Sequence, residues 1–105
     1  MKKTDLIKKY ACCCLAAPLL LCGTGLQAAD ADLAKVAACV ACHGADGVGK
    51  AEQYPTLQGQ REAYLVKQLK DFKSGVRKDS SMNVIAEPLS EADMKMLARF
   101  FAQVK

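Results

Sequence analysis

Residues 39–43 read Cys39-Val40-Ala41-Cys42-His43, and the reading of this stretch decides the fold. The C-x-x-C-H spacing is the pattern for covalent attachment of a c-type haem. Two thiols three positions apart lie about one helical turn apart, so both can reach the vinyl groups on one side of a porphyrin. His43 then lies under the iron and supplies an imidazole nitrogen as the proximal ligand. Zinc and dithiol redox chemistry are the rival uses of the same cysteines. A structural zinc site wants four protein ligands, often as two separated pairs. Beyond residue 29 the chain offers only Cys39, Cys42 and His43. A thioredoxin-like dithiol sits at a strand-to-helix junction, and no strand pattern is visible here.

Upstream, residues 1–29 read as an address. Lys2, Lys3, Lys8 and Lys9 form a positive head. Ala11–Cys22 is an apolar core broken only by Pro18, and Gly23–Ala29 is a small-residue exit. That is the layout of a secretory signal peptide, with cleavage expected after Ala28 or Ala29. The core is short of the about 20 residues that span a membrane comfortably, although an uncleaved anchor is the rival reading. The expected location is therefore the periplasm. Four of the six cysteines (Cys12, Cys13, Cys14 and Cys22) leave with the leader, so no disulfide framework remains. The leader also carries four lysines and only one acid, Asp5. The remainder is close to neutral, and the basic balance of the whole chain is no argument for nucleic-acid binding.

Residues 30–105 form one small domain in this reading. A chain this short buries a limited core and usually needs a staple or a bound group. A haem meets that need, and the domain without it is expected to fold poorly. Three helices are legible and no strands. The first covers about Asp32–Ala38, with Leu33, Val36 and Ala37 as its apolar face. The second covers about Arg61–Ser74, with Tyr64, Leu65, Leu69 and Phe72 at helical spacing and Gly75 as its C-cap. The third covers about Glu91–Val104, with Ser90 and Asp93 as an imperfect capping box and Leu97, Phe100, Phe101 and Val104 as its buried face.

Two connections remain. Residues 44–58 hold Gly44, Gly47 and Gly49, which suit either close approach to a flat cofactor or an ordinary flexible loop. Residues 76–89 form a long unpatterned stretch, and such a loop in so small a domain is usually functional. His43 is the only histidine, so a methionine sulfur is the natural sixth ligand. Met82, in the long loop, is favoured over Met94 and Met96, which sit on the third helix and read as filler. The alternative is an exposed Met82 and an open or water-filled sixth position.

The chain resembles a class I c-type cytochrome of the small bacterial kind, found singly or as one half of dihaem periplasmic proteins. The resemblance is carried by CVACHG (39–44), DGVGKAEQYPTLQGQ (46–60), YLVKQLKDFKSGVR (64–77), SSMNVIA (80–86) and LSEADMKMLARFFAQ (89–103). It implies an all-α, small cytochrome c fold, with three main helices wrapped around one covalently bound haem c and the first and last helices packed together. It also implies His43 and Met82 as axial ligands, and Pro55 as the residue whose carbonyl accepts the His43 ring N–H. The segment Lys78-Asp79-Ser80-Ser81 departs from the family by lacking a second methionine or proline before Met82.

The function expected is one-electron transfer without chemical turnover, so the protein is read as a carrier rather than an enzyme. Redox proteins are its expected partners, with transient docking to a membrane oxidase or reductase, and a monomer is the expected state. Lys67, Lys70, Lys73, Arg77 and Lys78 would steer an acidic partner if they ringed the haem edge, and are otherwise a solvated helix face. Two other classes stay open at this point. One is a haem sensor or small catalytic haem subunit with a labile sixth ligand. The other is an electron-transfer subunit of a larger oxidoreductase.

Overall fold

The structure, a computed structural model, describes residues 24–105. Four helices follow one another: α1 (Thr24–His43), α2 (Glu62–Ser74), α3 (Met82–Ala86) and α4 (Glu91–Gln103). Among the described residues there is no strand, and no helix is long and apolar enough to cross a membrane. The expected leader lies outside the described residues for 1–23, while residues 24–29 belong to the first turns of α1.

The expected all-α architecture is present, with differences at two places. α1 is a 20-residue helix that carries the whole CVACH stretch, rather than a short helix leading into it. Its apolar face is also rotated from the expected one. Leu33 is 66% exposed and Ala37 is exposed, whereas Val36, Cys39 and Val40 pack on the core. The i, i+3, i+4 spacing still holds, but it begins at Val36, because α1 meets the rest of the domain through its C-terminal half. The second difference is α3, a single short helix inside the stretch read as an unpatterned loop.

α2 and α4 pack along each other, α3 lies against α2, and the end of α1 meets α4. The core falls into two clusters. Leu65, Ala98 and Phe101 form one, and Leu89, Met94 and Leu97 form the other. Met94 is thus core rather than a ligand candidate, and Met96 packs partly buried against the same cluster. Cys39 touches both clusters, so the C-x-x-C-H stretch is part of the core. Gly75 closes α2 in the left-handed conformation (φ 77°), its N–H donating to the Phe72 carbonyl.

The start of α4 is held by a complete capping box. The Asp93 N–H donates to Ser90 Oγ at 3.1 Å, and the Ser90 N–H donates to Asp93 Oδ2 at 2.8 Å. The other Asp93 oxygen accepts from Lys35 Nζ of α1 at 2.6 Å. One carboxylate therefore starts α4 and ties it to α1. The Lys35 ammonium, with the Ser90 N–H, holds the Asp93 carboxyl down at about 2.

Two outcomes follow for equilibrium denaturation of the holoprotein. Ser90→Ala lowers stability by about 1 kcal/mol at neutral pH. Because Asp93 is depressed in the folded state, its contribution is present above its ordinary value of 3.8 and lost as pH falls through about 2. Asp93→Asn therefore lowers stability at pH 7, and between pH 4 and pH 2 the variant loses less stability than the wild type.

Candidate functional site

The site is a cleft of about 640 Å³ enclosed by all four helices. The end of α1 supplies Cys39, Cys42 and His43. α2 supplies Leu65, Leu69 and Phe72, and α4 supplies Leu97, Ala98 and Phe101. The loop after α1 adds Tyr54, Pro55 and Leu57, and Met82 and Ile85 of α3 complete the wall. Every sequence-derived site residue (Cys39, Cys42, His43, Pro55 and Met82) therefore lines one cavity. Met94 and Met96 do not line it.

His43 is buried (7% exposed), and its Nδ1 donates to the Pro55 carbonyl at 2.8 Å. A carbonyl only accepts, so Nδ1 bears the hydrogen and Nε2 keeps a free lone pair. The Phe101 ring meets the imidazole edge-on, with centroids 6.4 Å apart. α4 thus braces the ring that α1 presents. Cys39 and Cys42 are free thiols. Burial, and then the neighbouring Cys42, push the Cys39 thiol up. Among the described residues no three His, Cys, Asp or Glu side chains gather as a metal cluster.

The glycine-rich loop is closed by backbone contacts. The Gly47 carbonyl accepts from Leu57 N–H (2.7 Å) and Gln58 N–H (3.0 Å). Lys50 N–H donates to the Cys42 carbonyl at 3.0 Å. Gly49 is where the two limbs of the loop come closest. A Cβ there would lie 1.7 Å from the Tyr54 carbonyl oxygen, one residue before Pro55. The absence of a side chain at 49 is what lets Pro55 reach His43.

Met82 opens α3, and one side chain fixes its backbone. Asp79 Oδ1 accepts from the Met82 N–H (2.8 Å) and the Ser81 N–H (2.9 Å). Those two donors hold the Asp79 carboxyl below its ordinary value. Asp79 thus fixes the chain at the start of α3. The Asp-Ser-Ser run before a short apolar segment is a readable cap signal, and sequence reasoning missed it.

The basic residues divide. Lys67 pairs with Asp71 at 2.5 Å, Lys70 pairs with Glu91 at 3.2 Å, and Lys73 donates to the Leu89 carbonyl. Arg77 and Lys78 instead line the cleft, with the Arg77 guanidinium 4.6 Å above the Phe72 ring and donating to Gln68 at 2.5 Å. The five cations form no single ring. A flat, largely apolar macrocycle with anionic groups at one edge fits this lining: apolar side chains over most of the wall, and two cations at one part of it.

Comparison with known proteins agrees with that fit. The family described as Cytochrome c matches residues 28–105. A cytochrome c4 of Pseudomonas aeruginosa is 44% identical over 86 residues, which cover 78% of this chain and 43% of that protein. A protein of Thiomonas intermedia named as a thiosulfate dehydrogenase electron acceptor is 43% identical over 72 residues, covering 68% of this chain and 33% of its own length. A solved cytochrome c4 structure from Acidithiobacillus ferrooxidans superposes with a TM-score of 0.59 at 43% identity, covering 62% of this chain and 37% of that one. The chain spans less than half the length of each of these relatives.

The Gly49 contact is directly testable. Gly49→Ala forces the Tyr54–Pro55 backbone away and lowers stability by about 2 kcal/mol or more, on the scale of overpacking. Gly59, with a φ of +66° and nothing within 4 Å of an added Cβ, pays only the left-handed strain of about 1 kcal/mol on mutation to Ala. Chemical denaturation of the two holoprotein variants gives the ranking. Equal midpoints would remove the close approach at 49 as the reason for its glycine.

Proposed function

The chain belongs to the cytochrome c family, as a class I c-type cytochrome with covalently bound haem c, and from that premise we propose that it is a one-electron carrier. Such a haem supplies reversible one-electron chemistry at its iron. In this reading Cys39 and Cys42 form the thioether bonds, and His43 Nε2 and the Met82 sulfur are the axial ligands. The Pro55 carbonyl orients the imidazole and raises its basicity through the Nδ1 hydrogen bond. The observation that carries the reading is the placing of both thiols, the free Nε2 edge and Met82 around one apolar cleft.

The chain's residues favour electron transfer over turnover in three ways. Two protein ligands leave iron no open position for a substrate. The ring is braced by Pro55 and Phe101, and the Met82 backbone by Asp79, so little reorganises when the oxidation state changes. The largely apolar wall disfavours net charge in the cleft, which together with a thioether ligand raises the reduction potential. We place the carrier in the periplasm on the strength of the leader layout at residues 1–29, and we read its partners as redox proteins. The relatives' greater length favours a second reading, in which this domain works beside another electron-transfer domain or subunit. The name of the Thiomonas relative supports a dehydrogenase as the electron source in either case.

Absorption spectra of the purified holoprotein decide the ligation. The expected result is a low-spin c-type spectrum whose reduced form is unmoved by carbon monoxide. Met82→Ala loses the sulfur-to-iron band, binds carbon monoxide when reduced, and has a lower potential. A native protein that binds carbon monoxide tightly would instead point to sensing or catalysis.

A further inference from the structure

The connection from α2 to α3 contains a second side-chain clamp, centred on the residue after Met82. Asn83 Nδ2 donates to the Phe72 carbonyl at 2.6 Å and to the Arg77 carbonyl at 2.8 Å. Its Oδ1 accepts from the Asp79 N–H at 2.8 Å. Two carbonyl partners require the NH2 group and one N–H partner requires the carbonyl, so the amide has one orientation that satisfies all three. The Phe72 carbonyl belongs to the last turn of α2, where it also accepts from the Gly75 N–H at 3.2 Å. Asn83 therefore joins the end of α2, the connecting segment and the start of α3 through one side chain.

The rest of the connecting segment is held to α2 only through Arg77, whose N–H donates to the Asp71 carbonyl and whose guanidinium meets Gln68 and Phe72. Val76, Arg77, Lys78, Asp79, Ser80 and Ser81 are all exposed. Apolar burial does not fix the path of the chain here, so its hydrogen bonds do. Asp79 is the link, because the carboxylate that holds the Met82 N–H belongs to the residue whose own N–H is held by Asn83.

We propose that Asn83 is a positioning residue for Met82, a clamp that sets how often the sixth coordination position opens. The proposal rests on Met82 being the axial ligand. Local opening of residues 76–83 must break the three Asn83 bonds together, and a side chain that cannot form them raises the open population by about tenfold or more.

The test uses the ferric holoprotein and imidazole, a neutral ligand that enters only when the sixth position is open, followed by stopped-flow absorbance. Asn83→Ala is expected to bind imidazole about tenfold faster than the wild type while keeping its sulfur-to-iron band at neutral pH. Asn83→Asp keeps the acceptor for Asp79 but loses both donors, so its rate is also raised, by less than that of Asn83→Ala. Ser90→Ala, which removes the capping box of α4 and touches none of the Asn83 bonds, binds at the wild-type rate and controls for a general loss of stability. Met82→Ala binds fastest and lacks the band. The proposal is overturned if Asn83→Ala is no faster than Ser90→Ala while Met82→Ala is fast. If Asn83→Ala yields no holoprotein, a wild-type rate in Asn83→Asp overturns it equally. A wild type as fast as Met82→Ala, or lacking the band, would show that the ligand reading itself had failed and the proposal with it.

Discussion

The hydrogen bond from His43 Nδ1 to the Pro55 carbonyl, 2.8 Å long, is the contact around which the domain is arranged. It decides which ring nitrogen is free. It also demands that a loop leaving α1 return across the imidazole within twelve residues. The bonds of the Gly47 carbonyl to Leu57 and Gln58 and the approach at Gly49 are the means of that return. From the other side, Phe101 limits where the ring can lie, and Phe101 in turn stacks edge-on with Phe100 at 5.0 Å. One imidazole is therefore confined by a helix, a loop and a second helix that are far apart in sequence.

The two shores of the cleft are held by different kinds of force. On the His43 side, Cys39 and Val40 pack into clusters with Leu65, Leu97 and Phe101, and burial of apolar surface does most of the holding. On the Met82 side, the chain is exposed and polar, and side chains bonded to backbone groups take over. Asp79 and Asn83 both act in this way. A wall built by packing resists displacement in every direction. A wall built by a few hydrogen bonds gives way as a unit when one of its members is lost.

This division also explains what could be read from the sequence. The attachment stretch was legible because covalent chemistry fixes its residue order. The α2 stripe with its Gly75 cap and the Ser90 start of α4 were legible because they are local signals at helical spacing. α3 was not, because five residues are too few for periodicity to show. The face of α1 was misplaced at Leu33, since sequence shows that a helix has an apolar face but not how far along the helix its neighbour reaches. All five site residues named from the sequence fall on one cavity, but the parts that hold them do not appear in the pattern. Gly49 acts on a carbonyl five residues on, and Asn83 acts on a carbonyl in the preceding helix. Such roles depend on which backbone groups are left without partners, and only the folded chain decides that.

The tie between Lys35 and Asp93 spans 58 positions, and it bears on the order in which the molecule can be made. Cys39 and Cys42 lie on the first helix, whereas Leu97, Ala98 and Phe101, which close the cleft over them, lie on α4. A growing or translocating chain therefore presents its thiols well before it can cover them. Until α4 arrives, the first half of the domain is an open half-shell, with its histidine and cysteines accessible from one side. Closure then needs a long loop to be brought together, which is an entropic cost that grows only slowly with loop length. Because α4, which completes the core, is made after Cys39 and Cys42, the topology of the fold leaves an interval in which the thiols are uncovered.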